Sequence, residues 1–384
     1  MNVAQRAGKL VTLKHQKEFF NQWTHIEVRP YTLFRNMENQ YQKQFPDLME
    51  GKKIMYVHGF GSSASSGTVT RIRTMLPSAT VVADDIPVDP HEGIAMLREM
   101  TEREQPDLII GTSMGGMYAE QLHGYDRILV NPALRIADTM GAHGMVGKQT
   151  FQNPRKDGVQ EFIVTKAMVK EYRDVQEQCF ADTSEAEQEH VWGLFGDEDP
   201  LVHTYPLFSE HYRHAIWFHG EHRMNDDIFL NSVIPVIRWI DDRQNGKERE
   251  VVFISIDALR DKNGGQQPSA RKAFRQLLET YNIYIVAPSP NYSGDECQSV
   301  QEWLKDIISV PAYDHIIFAN QPQLLLGDFL IQPSPLNAHP SPLNAHPSTL
   351  NSHPSFMGTE IPLGSDTFKT WDEIMEYFSR LNGR

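Results

Sequence analysis

From Lys53 onward, short apolar and β-branched runs recur along the chain, at 54–57, 80–83, 107–110, 127–130, 191–195 and 215–218. Each is followed by a more polar stretch with helical texture. Runs this short and nearly continuous suit parallel strands buried on both faces. Their alternation with helices predicts an α/β domain with a doubly wound parallel sheet over residues 51–242, closed by the amphipathic segment 228–240. One gap breaks the rhythm. Between Asn131 and Glu189 the chain scatters Met140, Met145, Phe151, Phe162, Met168 and Tyr172 among charges. Structureless loops of that length are rare in compact domains. The stretch from about 134 to 188 is therefore expected to be a helical lid over the C-terminal edge of the sheet.

The flanks differ in texture. Residues 1–50 mix Gln, Lys, Asn and aromatic residues with weak helical periodicity, which predicts an N-terminal helical extension. Residues 243–249 are charged and contain Gly246, the composition of a linker. Beyond them β/α alternation restarts, with strand-like runs at 251–256, 283–286, 315–318 and 329–331 and helical stretches near 271–280, 300–308 and 371–381. This predicts a second, smaller Rossmann-like α/β domain over 250–384. Inside it, 333–354 holds a tandem heptad, Pro-Ser-Pro-Leu-Asn-Ala-His and its variants. Frequent proline removes backbone donors and forbids helix, so a loop is expected. His339, His346 and His353 recur through it, but nothing preorganises their imidazoles, and a solvated repeat is the plainer reading than a metal site.

Bulk properties narrow the classes. A chain of 384 residues exceeds one ordinary core, which agrees with two domains. The formal charge of −14 speaks against a nucleic-acid partner, because phosphate binding needs clustered Lys and Arg. Only Cys179 and Cys297 occur, far apart and outside any metal-binding spacing, so neither a disulfide framework nor a metal is expected. No signal-peptide pattern opens the sequence and no apolar run could span a bilayer, which points to a cytoplasmic protein without a membrane role.

The chemistry concentrates in the first domain. Gly111-Thr-Ser113-Met-Gly115 follows the run at 107–110 and opens a helical stretch. That is where a nucleophilic serine is presented on a sharp strand-to-helix turn, and only small neighbours fit there. A serine hydroxyl needs a base, and the oxyanion it generates needs two donors. His58-Gly-Phe60-Gly follows the first strand and offers the Phe60 N–H opposite that of Met114. The imidazole of His58 itself reads as a turn-stabilising group. In this architecture the acid precedes the base along the chain. Gly196-Asp-Glu-Asp199-Pro follows the run at 191–195 and supplies Asp199, with Asp197 as the alternative acid. Phe218-His-Gly-Glu-His222 follows the last strand, and His222 is preferred over His219 as base.

On His58-Gly-Phe60, Gly111-Thr-Ser113-Met-Gly-Gly116, Val130-Asn-Pro-Ala133, Gly196-Asp-Glu-Asp199 and Gly220-Glu-His222, residues 53–242 resemble the YqiA/YcfP family of small bacterial α/β-hydrolase esterases. The resemblance implies hydrolysis of a carboxylic ester or thioester through an acyl-serine, without a cofactor. Residues 250–384 resemble the C-type 5′-nucleotidases (deoxyribonucleotidases) of the haloacid-dehalogenase superfamily, through Gly327-Asp-Phe-Leu-Ile331 and 364–377. That family needs Asp-x-Asp-Gly after its first strand, and here the residues are Ser255-Ile-Asp257-Ala258. Its phosphate-binding Ser-Thr and Lys fall on Ala287-Pro288 and Pro322, and its paired magnesium acids on Gln332-Pro333. The resemblance thus implies a phosphatase fold without phosphatase chemistry, free to serve packing, regulation or a protein partner. The opposing reading is a binding or scaffold protein with a vestigial triad.

Overall fold

The computed structural model describes residues 43–288, 294–308, 315–334 and 355–383. The chain divides into a unit of Met1–Gln44 and a unit of Phe45–Arg384, and every strand named below lies in the second. The extension expected over 1–50 and the histidines of the heptad repeat fall, for the most part, outside the described residues. The edges of those segments differ from expectation. Phe45, Leu48 and Met49 are buried and the Phe45 N–H donates to the Met75 carbonyl at 2.7 Å, so the first core begins by Phe45 rather than at 51. Pro333 ends a strand, and the buried Ser334 donates its N–H to Leu363 at 2.7 Å.

Among the described residues, the first half holds eight strands: β1 (Lys53–Val57), β2 (Thr80–Val82), β3 (Leu108–Thr112), β4 (Arg127–Val130), β5 (Gly147–Thr150), β6 (Glu161–Val164), β7 (Val191–Gly196) and β8 (His214–Phe218). Six of them build a parallel sheet in the order β2-β1-β3-β4-β7-β8. Ile54, Met55, Ile109, Leu129 and Leu194 are wholly buried in it, as unbroken apolar runs require when helices cover both faces. Burial of each such side chain stabilises the fold by roughly 1.5–3 kcal/mol. Helix starts follow local chemistry. Asp89 accepts from the N–H groups of His91 and Glu92 while Pro90 opens the helix Pro90–Glu104. The strand order reverses between β1 and β3, and the carboxyl ends of strands at such a reversal are where ligands bind in open α/β sheets.

The lid expected to be helical is mixed. Helices Ile136–Ala142, Lys166–Gln176 and Glu185–Gln188 flank an antiparallel hairpin of β5 and β6. Its exposure alternates residue by residue, with Lys148, Thr150 and Glu161 outward and Phe162 and Val164 inward. A period of two overrode the helical reading there because each strand is too short for its alternation to stand out.

The second half is a five-stranded parallel sheet of β9 (Val251–Ser255), β10 (Asn282–Ala287), β11 (Ile316–Phe318), β12 (Phe329–Pro333) and β13 (Thr359–Leu363), ordered β11-β10-β9-β12-β13. Strand β13 has no counterpart in the sequence reading, because Pro362 interrupts its pattern. Proline is tolerated at a sheet edge, and β13 is an edge strand. The junction is pinned. The helix Ile234–Gln244 runs into the expected linker, and Arg249 clasps Asp242 while donating to the carbonyls of Glu279 and Thr280 at 2.9 and 3.0 Å. Among the described residues, no helix is long and apolar enough to cross a membrane.

Candidate functional site

At the end of β3, Ser113 has φ of 54°, a left-handed conformation that serine rarely adopts. Neighbouring backbone holds it there. Its N–H donates to Val130 at 3.0 Å, and its carbonyl accepts from Ala133 and Gly116 at 2.9 Å each. The turn leaves no room for side chains beside it. A Cβ on Gly115 would lie 2.1 Å from the Val57 carbonyl oxygen, and one on Gly59 would press 3.3 Å from the Ser113 Cβ. The G-T-S-M-G spacing is thus a consequence of helix Met114–Glu120 packing directly on β1.

Ser113 Oγ lies 3.0 Å from His222 Nε2, and His222 Nδ1 lies 2.7 Å from Asp199 Oδ2. The Asp199 side chain is completely buried. Its other oxygen accepts from the N–H groups of Leu201 and Val202 at 2.8 and 3.1 Å, which fixes the carboxylate's direction. The structure therefore brings Ser113, His222 and Asp199 into one chain of hydrogen bonds, drawn from the ends of β3, β8 and β7.

Asp197 is placed differently. Its Oδ1 accepts from the Gly220 N–H at 3.0 Å, and its Oδ2 faces Lys305 Nζ at 3.1 Å and His219 Nδ1 at 3.4 Å. Burial alone would raise its pKa, but the Gly220 N–H and the Lys305 ammonium outweigh it and hold the carboxyl below the ordinary range. Asp197, His219 and Asp306 each bring one donor atom to within 4.8 Å of the others, and the cation among them is Lys305.

Met114 opens a helix, so its N–H has no intrahelical acceptor. Among the described residues no protein group accepts from the N–H of Phe60 or of Met114. Phe60 sits edge-on to Phe162 with ring centroids 5.3 Å apart, and Phe162 packs on Phe151 at 4.4 Å. The connection between β5 and β6 also bonds the loop directly, through Gln152 N–H to Gly61 O at 2.7 Å and Ser63 Oγ–H to Pro154 O at 2.7 Å. His58 is buried, with Nδ1 2.9 Å from Gly59 O and Nε2 accepting from the Ile86 N–H at 3.0 Å. Burial lowers its pKa to about 4. It braces the loop as a neutral ring.

Sequence reasoning gave no role to Asn131. Its φ is 45°, its Oδ1 accepts from Gly196 N–H at 2.7 Å, and its Nδ2 donates to the carbonyls of Glu221 and His222 at 3.1 Å each. One amide ties the acid-bearing loop to the histidine-bearing loop. The available signal was an Asn-Pro pair at a strand end, where Asn tolerates the left-handed region.

In the second half, Ser255 ends β9, Ala287 ends β10 with Pro288 after it, and Gln332-Pro333 end β12, all on the carboxyl edge of the sheet. Asp257 is exposed just beyond β9. Asp328 lies at the opposite end, where its Oδ2 accepts from Val251 N–H at 2.7 Å. The two acids therefore do not share a site.

The sheet order and the placement of these loops define the first half as an α/β-hydrolase fold. Residues 53–228 match the model of the uncharacterised protein family UPF0227. Among solved structures, Est1E of Butyrivibrio proteoclasticus, solved with ferulic acid, is 12% identical, covering 54% of this chain and 93% of its own with a TM-score of 0.33. The thioesterase domain of the curacin biosynthetic pathway is 14% identical, covering 51% and 92% with a TM-score of 0.31. The C-terminal region is similar to 5′(3′)-deoxyribonucleotidases. That of Clostridium acetobutylicum is 36% identical over 118 residues, covering 29% of this chain and 63% of its own. A relative from Vibrio phage KVP40 is 26% identical over 110 residues, covering 29% and 56%. The chain thus spans less than two thirds of either relative.

Proposed function

We propose that the first half is a serine hydrolase that cleaves a carboxylic ester or thioester through an acyl-serine intermediate. The observation that carries this reading is the continuous Ser113–His222–Asp199 relay, with contacts of 3.0 and 2.7 Å, at a serine held in a left-handed turn. His222 Nε2 takes the hydroxyl proton as Ser113 Oγ attacks the carbonyl carbon. Asp199 keeps Nδ1 protonated and stabilises the imidazolium. The N–H groups of Phe60 and Met114 receive the oxyanion, and removing one such donor typically costs 100- to 1,000-fold in turnover. The imidazolium then protonates the departing alcohol or thiol. Water, deprotonated by the same ring, cleaves the acyl-serine and regenerates the hydroxyl.

The second half, in this reading, is a nucleotidase-like domain that no longer transfers phosphate. The nucleophilic carboxylate position at the end of β9 is Ser255, and Asp257 and Asp328 lie at opposite ends of the sheet. A fluorophosphonate probe tests the enzyme reading. Labelling of the wild type but not of Ser113→Ala supports it, whereas a folded wild type that takes no label favours a scaffold with a vestigial triad. A chain-length series of p-nitrophenyl and CoA esters would then separate ester from thioester preference.

A further inference from the structure

Asp197 stands where the two loops of the relay meet. Its backbone N–H donates to Phe218 O at 3.1 Å and that of Glu198 to Gly220 O at 3.0 Å, while its Oδ1 receives the Gly220 N–H at 3.0 Å. Asp199 is two residues away on one loop and His222 two residues away on the other. The charge opposite this carboxylate comes from the second half of the protein, as Lys305 Nζ at 3.1 Å. Both side chains are largely buried, with 19% and 17% of their surface exposed, so the pair is less screened than a surface ion pair. Lys305 also stands 3.8 Å from Asp306 Oδ1, so it separates two carboxylates.

Resting on the hydrolase reading, we propose that Lys305 is a positioning residue that holds the acid and base loops in register through Asp197, so that ester turnover in the first half depends on a side chain of the second. Removal of the ammonium leaves Asp197 and Asp306 facing each other beside His219. Like charges at that range repel. Asp197 then turns outward and the Gly220 N–H loses its acceptor, which loosens the loop that aims His222 at Ser113. Displacements of about 1 Å in a reacting group can cost on the order of 100-fold in rate.

The test uses the full chain. Lys305→Ala is expected to lower kcat about tenfold with little change in KM, a modest share of that sensitivity. Lys305→Arg should restore most of it. Asp197→Asn keeps an oxygen for the Gly220 N–H and removes the repulsion with Asp306, so by itself it should stay near wild type, and added to Lys305→Ala it should recover most of the lost kcat. A second readout is independent of substrate: the low-field proton resonance between His222 Nδ1 and Asp199, expected to broaden in Lys305→Ala and sharpen again in Lys305→Arg. Wild-type turnover together with an unchanged resonance in Lys305→Ala would overturn the proposal while leaving the hydrolase reading intact. A wild type no more active than Ser113→Ala would instead sink the hydrolase reading and with it the dependence of turnover, and the resonance would still report whether Lys305 reaches His222.

Discussion

A left-handed serine costs about 1–3 kcal/mol of backbone strain, and at Ser113 backbone hydrogen bonds with Val130, Ala133 and Gly116 hold it in place. The hydroxyl is thereby aimed at His222 before any substrate arrives. The acid is equally constrained, since both oxygens of Asp199 are engaged. Asp199→Asn should therefore keep its place but stabilise the wrong imidazole tautomer, lowering kcat on a p-nitrophenyl ester about 10⁴-fold with an unchanged circular dichroism spectrum. His58 makes a prediction about acid. Its folded pKa is about 4, below the ordinary 6.5, so between those values the unfolded chain binds the extra proton. Stability should fall as pH drops through that window, by roughly 3 kcal/mol from this group, and be insensitive to it above pH 6.5. Urea melts at pH 7.5 and 5 would show this, and His58→Gln should flatten the difference; an equal slope in the variant would assign it to other groups. Ser113 was legible because its glycines are forced by contact. The choice between Asp199 and Asp197 was not, since both follow β7 and only the fold shows which one His222 meets.

At the scale of elements, the site is a set of strand ends held at fixed separations. Helix Met114–Glu120 rests on β1 with no space for a methyl group, so Gly115→Ala should cost about 3 kcal/mol, read as a lowered urea midpoint. The hairpin of β5 and β6 braces the site from outside the main sheet. Through Phe162 and the Gln152 N–H it steadies the loop that carries Phe60. Phe162→Ala is expected to leave a folded protein whose kcat is roughly tenfold lower, because an oxyanion donor that moves freely gives up part of its contribution. Equal kcat in the folded variant would show that the loop stands by itself. Six strands of the first sheet were readable as apolar runs, since burial on both faces writes itself directly into composition. The hairpin and β13 were not: one has short strands in a charged stretch, and the other carries a mid-strand proline that its edge position tolerates.

For the whole molecule, the proposed reading gives the two halves different chemical courses on similar layered sheets. The first gathers its polar groups at a reversal of strand order. The second has Ser255, Pro288 and Pro333 at its strand ends, where the resemblance to the nucleotidases implies reactive groups. It should accordingly release no phosphate from deoxynucleoside monophosphates in magnesium, and chelation should leave ester turnover unchanged; phosphate release lost on chelation would reverse that view. Arg249 carries one last implication. By filling the open carbonyls of Glu279 and Thr280 while gripping Asp242, it turns a polar connector into a weld rather than a swivel. Two lobes joined in this way share their fate on heating, and a calorimeter should record one endotherm where a string of independent beads would give two.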